Sequence, residues 1–390
     1  MKICATIAEY NPFHLGHLKH LSYIRDTLGA EKIIVVMSGN FTQRGEIAVL
    51  DKYSRARHAI LAGADLVIEL PTVFATANAE NFASGAVNII NSLGVVDGIC
   101  FGAESGDKDS FVRLARAMNN ESKEFKKILK EKLESGISLA KAKFQAVKEL
   151  NGVDFDESLI SSPNNILGLE YTKALIKANS DILIFPMKRE GDHNDKTLKK
   201  GITSATSIRE VIKTGKIKTL KKNVPPFVLK DLTDYPSTFD TLVLAKAVLN
   251  STEEIALAPD CTEGLENRIK AFVKDNCTLD TLIDKVSTKR YTKTRIQRIL
   301  TANLLGITAD FLKTCSESKL YAKVLAVNSE SKDLIPLICG NSSIPVLTRK
   351  SDSTGLKKTA EKCFQLDVLA NDLYGLITGT KLNEHQMLIV

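Results

Sequence analysis

Residues 3–17 read Ile3-Cys4-Ala5-Thr6-Ile7-Ala8-Glu9-Tyr10-Asn11-Pro12-Phe13-His14-Leu15-Gly16-His17. A short apolar run ends in a Pro-containing turn. Two histidines then flank a glycine, and an amphipathic stretch follows. The pattern predicts a strand, a tight loop and a helix, with His-x-Gly-His where the helix begins. A helix N-terminus presents unpaired N–H groups and a positive dipole end, so it attracts phosphate. Two imidazoles there can donate to a phosphate, and Gly16 lets a nucleotide approach the backbone closely. The stretch points to chemistry at the α-phosphate of ATP.

Outward from this stretch, residues 1–105 alternate between apolar runs and helical patterns. Strands are predicted at 32–37, 65–70 and 96–102, with helices at 52–62 and 79–93. In the first of these helices Ala56, Ala59, Ile60 and Leu61 are expected to face inward. Strand–helix alternation implies a parallel, Rossmann-like α/β sheet whose ligands sit at the carboxyl ends of the strands. Residues 107–180 read as a charged helical insertion. Residues 181–186 return to the sheet, and 202–213 supply a turn and a helix. Pro225-Pro226 mark a boundary, so a catalytic domain is expected at 1–222 and a C-terminal domain at 223–390. The latter reads as helical to about residue 312, then as a small α/β element.

Composition sets the class. The chain has 390 residues, 44% hydrophobic and 25% charged. No basic leader precedes the first strand and no apolar run approaches a membrane span, so a cytoplasmic protein without a membrane partner is expected. Seven scattered cysteines, with no Cys-x-x-Cys, argue against a disulfide frame or a zinc knuckle. The net charge of +7 is uneven. Residues 188–222 hold eleven Lys/Arg against four acids. Residues 285–298 hold Lys285, Lys289, Arg290, Lys293, Arg295 and Arg298 with no acid, around Tyr291. Such clusters mark either a solvated basic face or a polyanion footprint, and in the second Arg can fork onto phosphate while Tyr stacks on a base.

A second phosphate motif is Ile202-Thr203-Ser204-Ala205-Thr206-Ser207-Ile208-Arg209. Its hydroxyls read as an ordinary N-cap or as ligands for β- and γ-phosphate, with Arg209 against the leaving pyrophosphate. Paired with His-x-Gly-His, the second reading prevails. The pair resembles the signature of the nucleotidyltransferase superfamily. The words Glu9 to His17, Met37-Ser38-Gly39-Asn40-Phe41-Thr42-Gln43-Arg44-Gly45-Glu46, Ser162-Pro163-Asn164-Asn165-Ile166-Leu167-Gly168 and Lys289-Arg290-Tyr291-Thr292 followed by Arg295-Ile296 resemble the bacterial tRNA(Met) cytidine acetate ligase family over most of the chain.

The resemblance implies a reaction. Acetate attacks the α-phosphate of ATP, and the acetyladenylate then acetylates the N4 amine of the wobble cytidine of elongator tRNA(Met), giving N4-acetylcytidine. It implies His14, His17 and Lys19 as catalytic, although Lys19 also reads as solvated. It implies an ATP site of Ile7, Ala8, Glu9, Tyr10, Asn11, Pro12, Phe13, His14, Leu15, Gly16, His17, Leu18, Lys19 and His20. Gly102, Asn164, Asn165, Arg189, Ser204, Thr206 and Arg209 complete that site. The tRNA footprint would be Lys289, Arg290, Tyr291, Lys293, Arg295 and Arg298. Mg²⁺ is expected on the phosphates rather than in a protein metal site. Asp192, His193 and Asp195 read as a surface loop in preference to a metal site, and Gln43 and Arg44 as a loop that is either structural or functional. On their own surroundings His20 and His58 read as packing residues, and His385 as inert. The alternatives are a small-molecule adenylyltransferase of the same superfamily and a non-catalytic RNA-binding protein.

Overall fold

The computed structural model describes residues 1–120, 122–137, 139–151, 156–189, 201–274, 278–288 and 290–390. Asp192, His193, Asp195, Cys277 and Lys289 lie outside the described residues. Five parallel strands form the centre of the sheet: β1 (Ile3–Ala8), β2 (Lys32–Ser38), β3 (Leu66–Leu70), β4 (Gly98–Ala103) and β5 (Leu183–Lys188). Three more follow from the C-terminal part: β6 (Ala322–Val327), β7 (Val346–Leu347) and β8 (Leu388–Ile389). The order is β5-β4-β1-β2-β3-β6-β7, with β8 also on β6.

The sequence reads as continuous apolar runs because both faces of the sheet are covered. Along β1 and β2, Cys4, Ile33, Val35 and Met37 enter one core, while Ala5, Ile34 and Val36 enter the other. The first core includes residues of the helices Lys52–Leu61 and Ala205–Lys213. The second includes residues of Ala79–Ser92, Lys108–Asn119, Pro163–Lys177 and the C-terminal helices Thr238–Leu249, Lys293–Leu305 and Lys358–Thr378. On Lys52–Leu61, Ala56, Ala59 and Ile60 are buried as the periodicity predicts. Leu61 is not: it is 48% exposed. It lies roughly 140° around the helix from Ala56, off the inward stripe.

The C-terminal α/β segment is not a separate element. β6 pairs antiparallel with β3, extending the same sheet across the boundary expected at 222–223. The core crosses it too, since Val224 and Val228 pack in the cluster that holds Cys4. Pro226 starts a helix (Pro226–Asp231) rather than only stopping one, because proline lacks the N–H that the first helical position leaves unused.

Four buried charges hold this junction. Lys52 Nζ lies 2.8 Å from Glu69 Oε1 and 2.6 Å from Glu384 Oε2. Lys323 Nζ lies 3.1 Å from Glu69 Oε2 and also pairs with Glu384. All four side chains are at most 4% exposed. Two lysines against two glutamates leave no net charge, which is the condition for burying ions at tolerable cost. Beside them Asp367 accepts from the Thr72 N–H at 2.7 Å and from the Tyr321 hydroxyl at 2.5 Å. Burial pushes the Asp367 carboxyl up to about 7.

Glu384→Gln leaves two buried ammonium groups facing one carboxylate. The expected loss is about 3–5 kcal/mol of unfolding free energy, read by urea titration. A loss within about 0.5 kcal/mol, the size of an ordinary surface effect, would show that the cluster does not hold the C-terminal strands in place.

Candidate active site

Strand order reverses between β1 and β4, because β2 and β3 lie on one side of β1 while β4 and β5 lie on the other. A crevice opens at the carboxyl ends of strands flanking such a switch. A cavity of about 560 Å³ occupies that place, lined by the ends of β1 and β4 and by the first helix, Leu15–Ser22.

The turn from β1 to this helix is held from several sides. Tyr10 takes φ 49°, a left-handed conformation uncommon outside glycine, and its ring packs 4.8 Å from both Phe13 and His17. Asn11 Oδ1 accepts from the Val49 N–H at 2.9 Å. Arg55, fully buried, donates to the carbonyls of Leu50 (2.8 Å), Glu9 (2.7 Å) and Ser38 (3.0 Å), and also to Gly39. One guanidinium thus fixes the ends of β1 and β2 together. The sequence hid this role, since the only signal is an arginine on the inward stripe of an alanine-rich helix.

His14 is the N-cap of the first helix. Its Nδ1 accepts from the Gly16 N–H at 3.0 Å, and His17 Nδ1 accepts from the His14 N–H at 3.3 Å. The rings stack, with centroids 3.7 Å apart and 23° between planes. An Nδ1 that accepts cannot carry the proton, so each neutral ring is a donor at Nε2. Gly16 lines the cavity, and its own neighbour also requires glycine there. A Cβ there would stand 2.9 Å from His14 Cε1 and would displace the capping ring.

At the other strand end a Cβ on Gly102 would meet Arg189 Cγ and Cδ at 3.2 Å, so the missing side chain makes room for Arg189. His20 Nε2 lies 3.2 Å from Cys100 Sγ. Burial, aided by the Arg189 charge, lowers His20 to about 4, so its ring is neutral at physiological pH. Asn164 lines the cavity and donates to Glu104 Oε1 at 2.7 Å. Asn165 lies behind it, fully buried, with Oδ1 accepting from the Glu104 and Ser105 N–H groups and Nδ2 donating to the Ser158 carbonyl.

The second motif opens the helix Ala205–Lys213. Ser204 is its N-cap, accepting from the Ser207 N–H at 3.0 Å. Thr206 and Arg209 line the same cavity as His14 and His17. Arg209 donates to the Asn11 carbonyl at 3.0 Å, and its Nε stands 3.3 Å from Glu46 Oε2. Two helix N-termini from opposite ends of residues 1–222 therefore converge on one space. Of the expected ATP residues, Ile7, Ala8, Glu9, Tyr10, Asn11, Lys19 and His20 also line it, whereas Pro12, Phe13, Leu15, Leu18, Asn165 and Ser204 do not. Gln43 and Arg44 do line it. Glu9 Oε1 accepts from the Gln43 N–H at 2.7 Å, and burial raises its carboxyl. Phe82, Phe101, Tyr171 and Met187 add apolar walls that the sequence reading did not assign.

The 285–298 cluster is less bare than its sequence. Folding brings Glu263 to it, and Asp284 adjoins it in sequence. Arg290 pairs with Glu263 at 2.8 Å, and Lys293 pairs with Asp284. Tyr291 donates to Glu263 Oε2 at 2.6 Å. Arg295 donates to the Asp260 carbonyl at 2.7 Å and to Thr262 Oγ1 at 2.8 Å. Arg298, 3.6 Å from Asp260 Oδ2, also lines the central cavity with Thr294. His58, as its neighbours suggested, packs, with Nε2 2.8 Å from Asp231 Oδ2. Among the described residues no three His, Cys, Asp or Glu side chains converge to hold a metal ion, and no helix is long and apolar enough to cross a membrane.

Comparison with known proteins agrees with this geometry. The family model for HIGH Nucleotidyl Transferase matches residues 1–387. The tRNA(Met) cytidine acetate ligase of Acetivibrio thermocellus is 39% identical over 96% of this chain and 94% of its own. That of Clostridium tetani is 40% identical over 94% and 96%. The crystal structure of Thermotoga maritima TmcAL (apo, form I) matches with a TM-score of 0.94 at 28% identity, covering 100% of both chains. The same protein bound with alpha-thio ATP matches with a TM-score of 0.91. Cavity, strand order and relatives agree: the chain belongs to the tRNA(Met) cytidine acetate ligase family of HIGH nucleotidyl transferases.

Proposed function

We propose that this protein activates acetate with ATP and acetylates the N4 amine of the wobble cytidine of elongator tRNA(Met) in the cytoplasm. The observation that carries the reading is the meeting of His14 and His17 with Thr206 and Arg209 in one cavity at the switch point. Acetate attacks the α-phosphate, pyrophosphate leaves, and the cytidine amine then displaces AMP from the acetyladenylate. The Nε2–H donors of His14 and His17 meet charge developing on the α-phosphate, a task of positioning and electrostatics. Thr206, the N-terminus of helix Ala205–Lys213 and Arg209 take the β- and γ-phosphates. Lys19 supplies a further positive charge. Ser204 acts by capping that helix and Asn165 by holding the 104–105 turn, rather than by touching the nucleotide. Mg²⁺ enters on the phosphates.

The exposed side of residues 290–293 serves the tRNA. Arg290 and Lys293 are 66% and 65% exposed, and their surface ion pairs are weak enough to exchange for phosphate. Arg295 supports that surface by anchoring the 260–262 turn.

The direct test incubates the protein with ATP, Mg²⁺, isotopically labelled acetate and bulk bacterial tRNA, followed by nucleoside mass analysis. ATP-dependent labelled N4-acetylcytidine is expected. Acetate-dependent pyrophosphate release without labelled RNA would reopen the acceptor, and absence of both would favour a small-molecule adenylyltransferase.

His17→Ala removes one donor from the adenylation site. Acetate-dependent pyrophosphate exchange should fall about 10²–10³-fold, with tRNA affinity retained. Loss of both in a variant that still melts cooperatively would contradict the separation of roles. Replacing Arg290 and Lys293 together with Ala should lower the slope of log affinity against log salt by about 1–2. An unchanged slope would remove this surface from the footprint.

A further inference from the structure

Arg298, expected in the tRNA footprint, also reaches the cavity. It belongs by sequence to the 285–298 cluster, yet it faces inward, its side chain only 13% exposed, and it lines the cavity. Its partnering is incomplete. The nearest carboxylate, Asp260 Oδ2, is 3.6 Å from one terminal nitrogen, and the buried Nε meets no acceptor. A buried guanidinium N–H without an acceptor costs free energy unless a ligand completes it. The other assigned cavity arginines have different partners: Arg209 holds Glu46 and the Asn11 carbonyl, and Arg189 fills the space over Gly102.

The surroundings of Arg298 favour a small carboxylate. Asn78 donates to Asp260 Oδ1 at 3.0 Å, so Asn78 and Arg298 share one carboxylate. Asn78 caps the helix Ala79–Ser92, whose Ala79 and Phe82 line the same cavity as Arg298. The loop after β2 lies directly on the helix of Arg298. A Cβ on Gly45 would stand 2.7 Å from the Arg298 backbone nitrogen, and Thr301 Oγ1 donates to the Gly45 carbonyl at 2.6 Å. Arg298 is thus a fork-shaped donor in a cavity that also has apolar walls, on a helix held in place by backbone packing.

We propose that Arg298 binds the carboxylate of acetate and presents one of its oxygens to the α-phosphate of ATP, while Ala79 and Phe82 enclose the methyl group. The assignment rests on the acetate-activating reading above. One carboxylate oxygen forms the new bond to the α-phosphorus. The bond from that phosphorus to the pyrophosphate oxygen breaks, and its electron pair leaves with pyrophosphate. A planar guanidinium matches a carboxylate with two parallel N–H donors, which an ammonium cannot do. The C-terminal region would then supply the acyl subsite of a nucleotide site built by residues 1–222.

The test is acetate-dependent ATP–pyrophosphate exchange on the full chain, titrating acetate and ATP separately. Arg298→Met keeps the aliphatic stem and should raise the KM for acetate about tenfold or more, the scale of one charged hydrogen-bonded contact, with the KM for ATP unchanged. Arg298→Lys keeps the charge against Asp260 without the fork and should recover only part of that loss. Should Arg298→Met fail to fold, a raised acetate KM in Arg298→Lys carries the same conclusion. An acetate KM unchanged in either folded variant overturns the assignment. So does a matching rise in the ATP KM, which would make Arg298 a phosphate ligand, or a loss of tRNA affinity alone. No acetate-dependent exchange from the unmutated protein would overturn the acetate-activating reading itself, and the assignment with it.

Discussion

The pairing of two buried lysines with two buried glutamates makes the chain one body. Lys52 and Glu69 come from the first third of the sequence, Lys323 and Glu384 from its end. None of these charges could be buried alone. Because each needs the others, β6 must lie against β3 and the C-terminal tail must close over Lys52. That in turn seats the C-terminal helices against the loop after β2, where Gly45 meets Arg298. The charge cluster lies outside the lining of the cavity, yet it helps bring residues from both ends of the chain to face that one space.

Within that frame the cavity is shaped for anions by backbone as much as by side chains. The first helix is capped by a histidine instead of the usual Ser, Thr, Asp or Asn. The substitution has a chemical consequence. Capping occupies Nδ1 of His14, and the reciprocal bond occupies Nδ1 of His17, so both rings are fixed in one tautomer with Nε2 as donor. Gly16 permits this by leaving room for the ring. A motif that reads as two histidines near phosphate is thus also a device that sets their protonation pattern. Ser204 performs the ordinary version of the same task at the second helix.

The parallel sheet was legible because its strands are unbroken apolar runs separated by helical periodicity. The two phosphate motifs were legible because their turn residues and hydroxyls sit where helices begin. What stayed hidden is what depends on long-range pairing. Nothing local in Tyr321 to Asn328 distinguishes a strand of a separate element from one that joins β3 antiparallel. Arg55, Lys52 and Glu69 are charged residues that would be assigned to the surface, and only their partners explain their burial. The acids that face the 285–298 cluster include Asp260 and Glu263, which lie far from it in sequence. Arg298 shares the cluster's charge pattern and, one turn beyond Arg295 on the same helix face, reaches both Asp260 and the cavity. Asn165 and Ser204 bond to backbone, and such caps draw on the same side-chain chemistry as phosphate ligands, so sequence does not separate the two roles.

One triphosphate spanning both helix N-termini would be visible in a structure of the protein with alpha-thio ATP. The α-phosphate is expected within about 3 Å of His14 and His17 Nε2, with the β- and γ-phosphates at Thr206 and Arg209. A nucleotide bound with its triphosphate directed away from Arg209, or outside the crevice between β1 and β4, would contradict that arrangement.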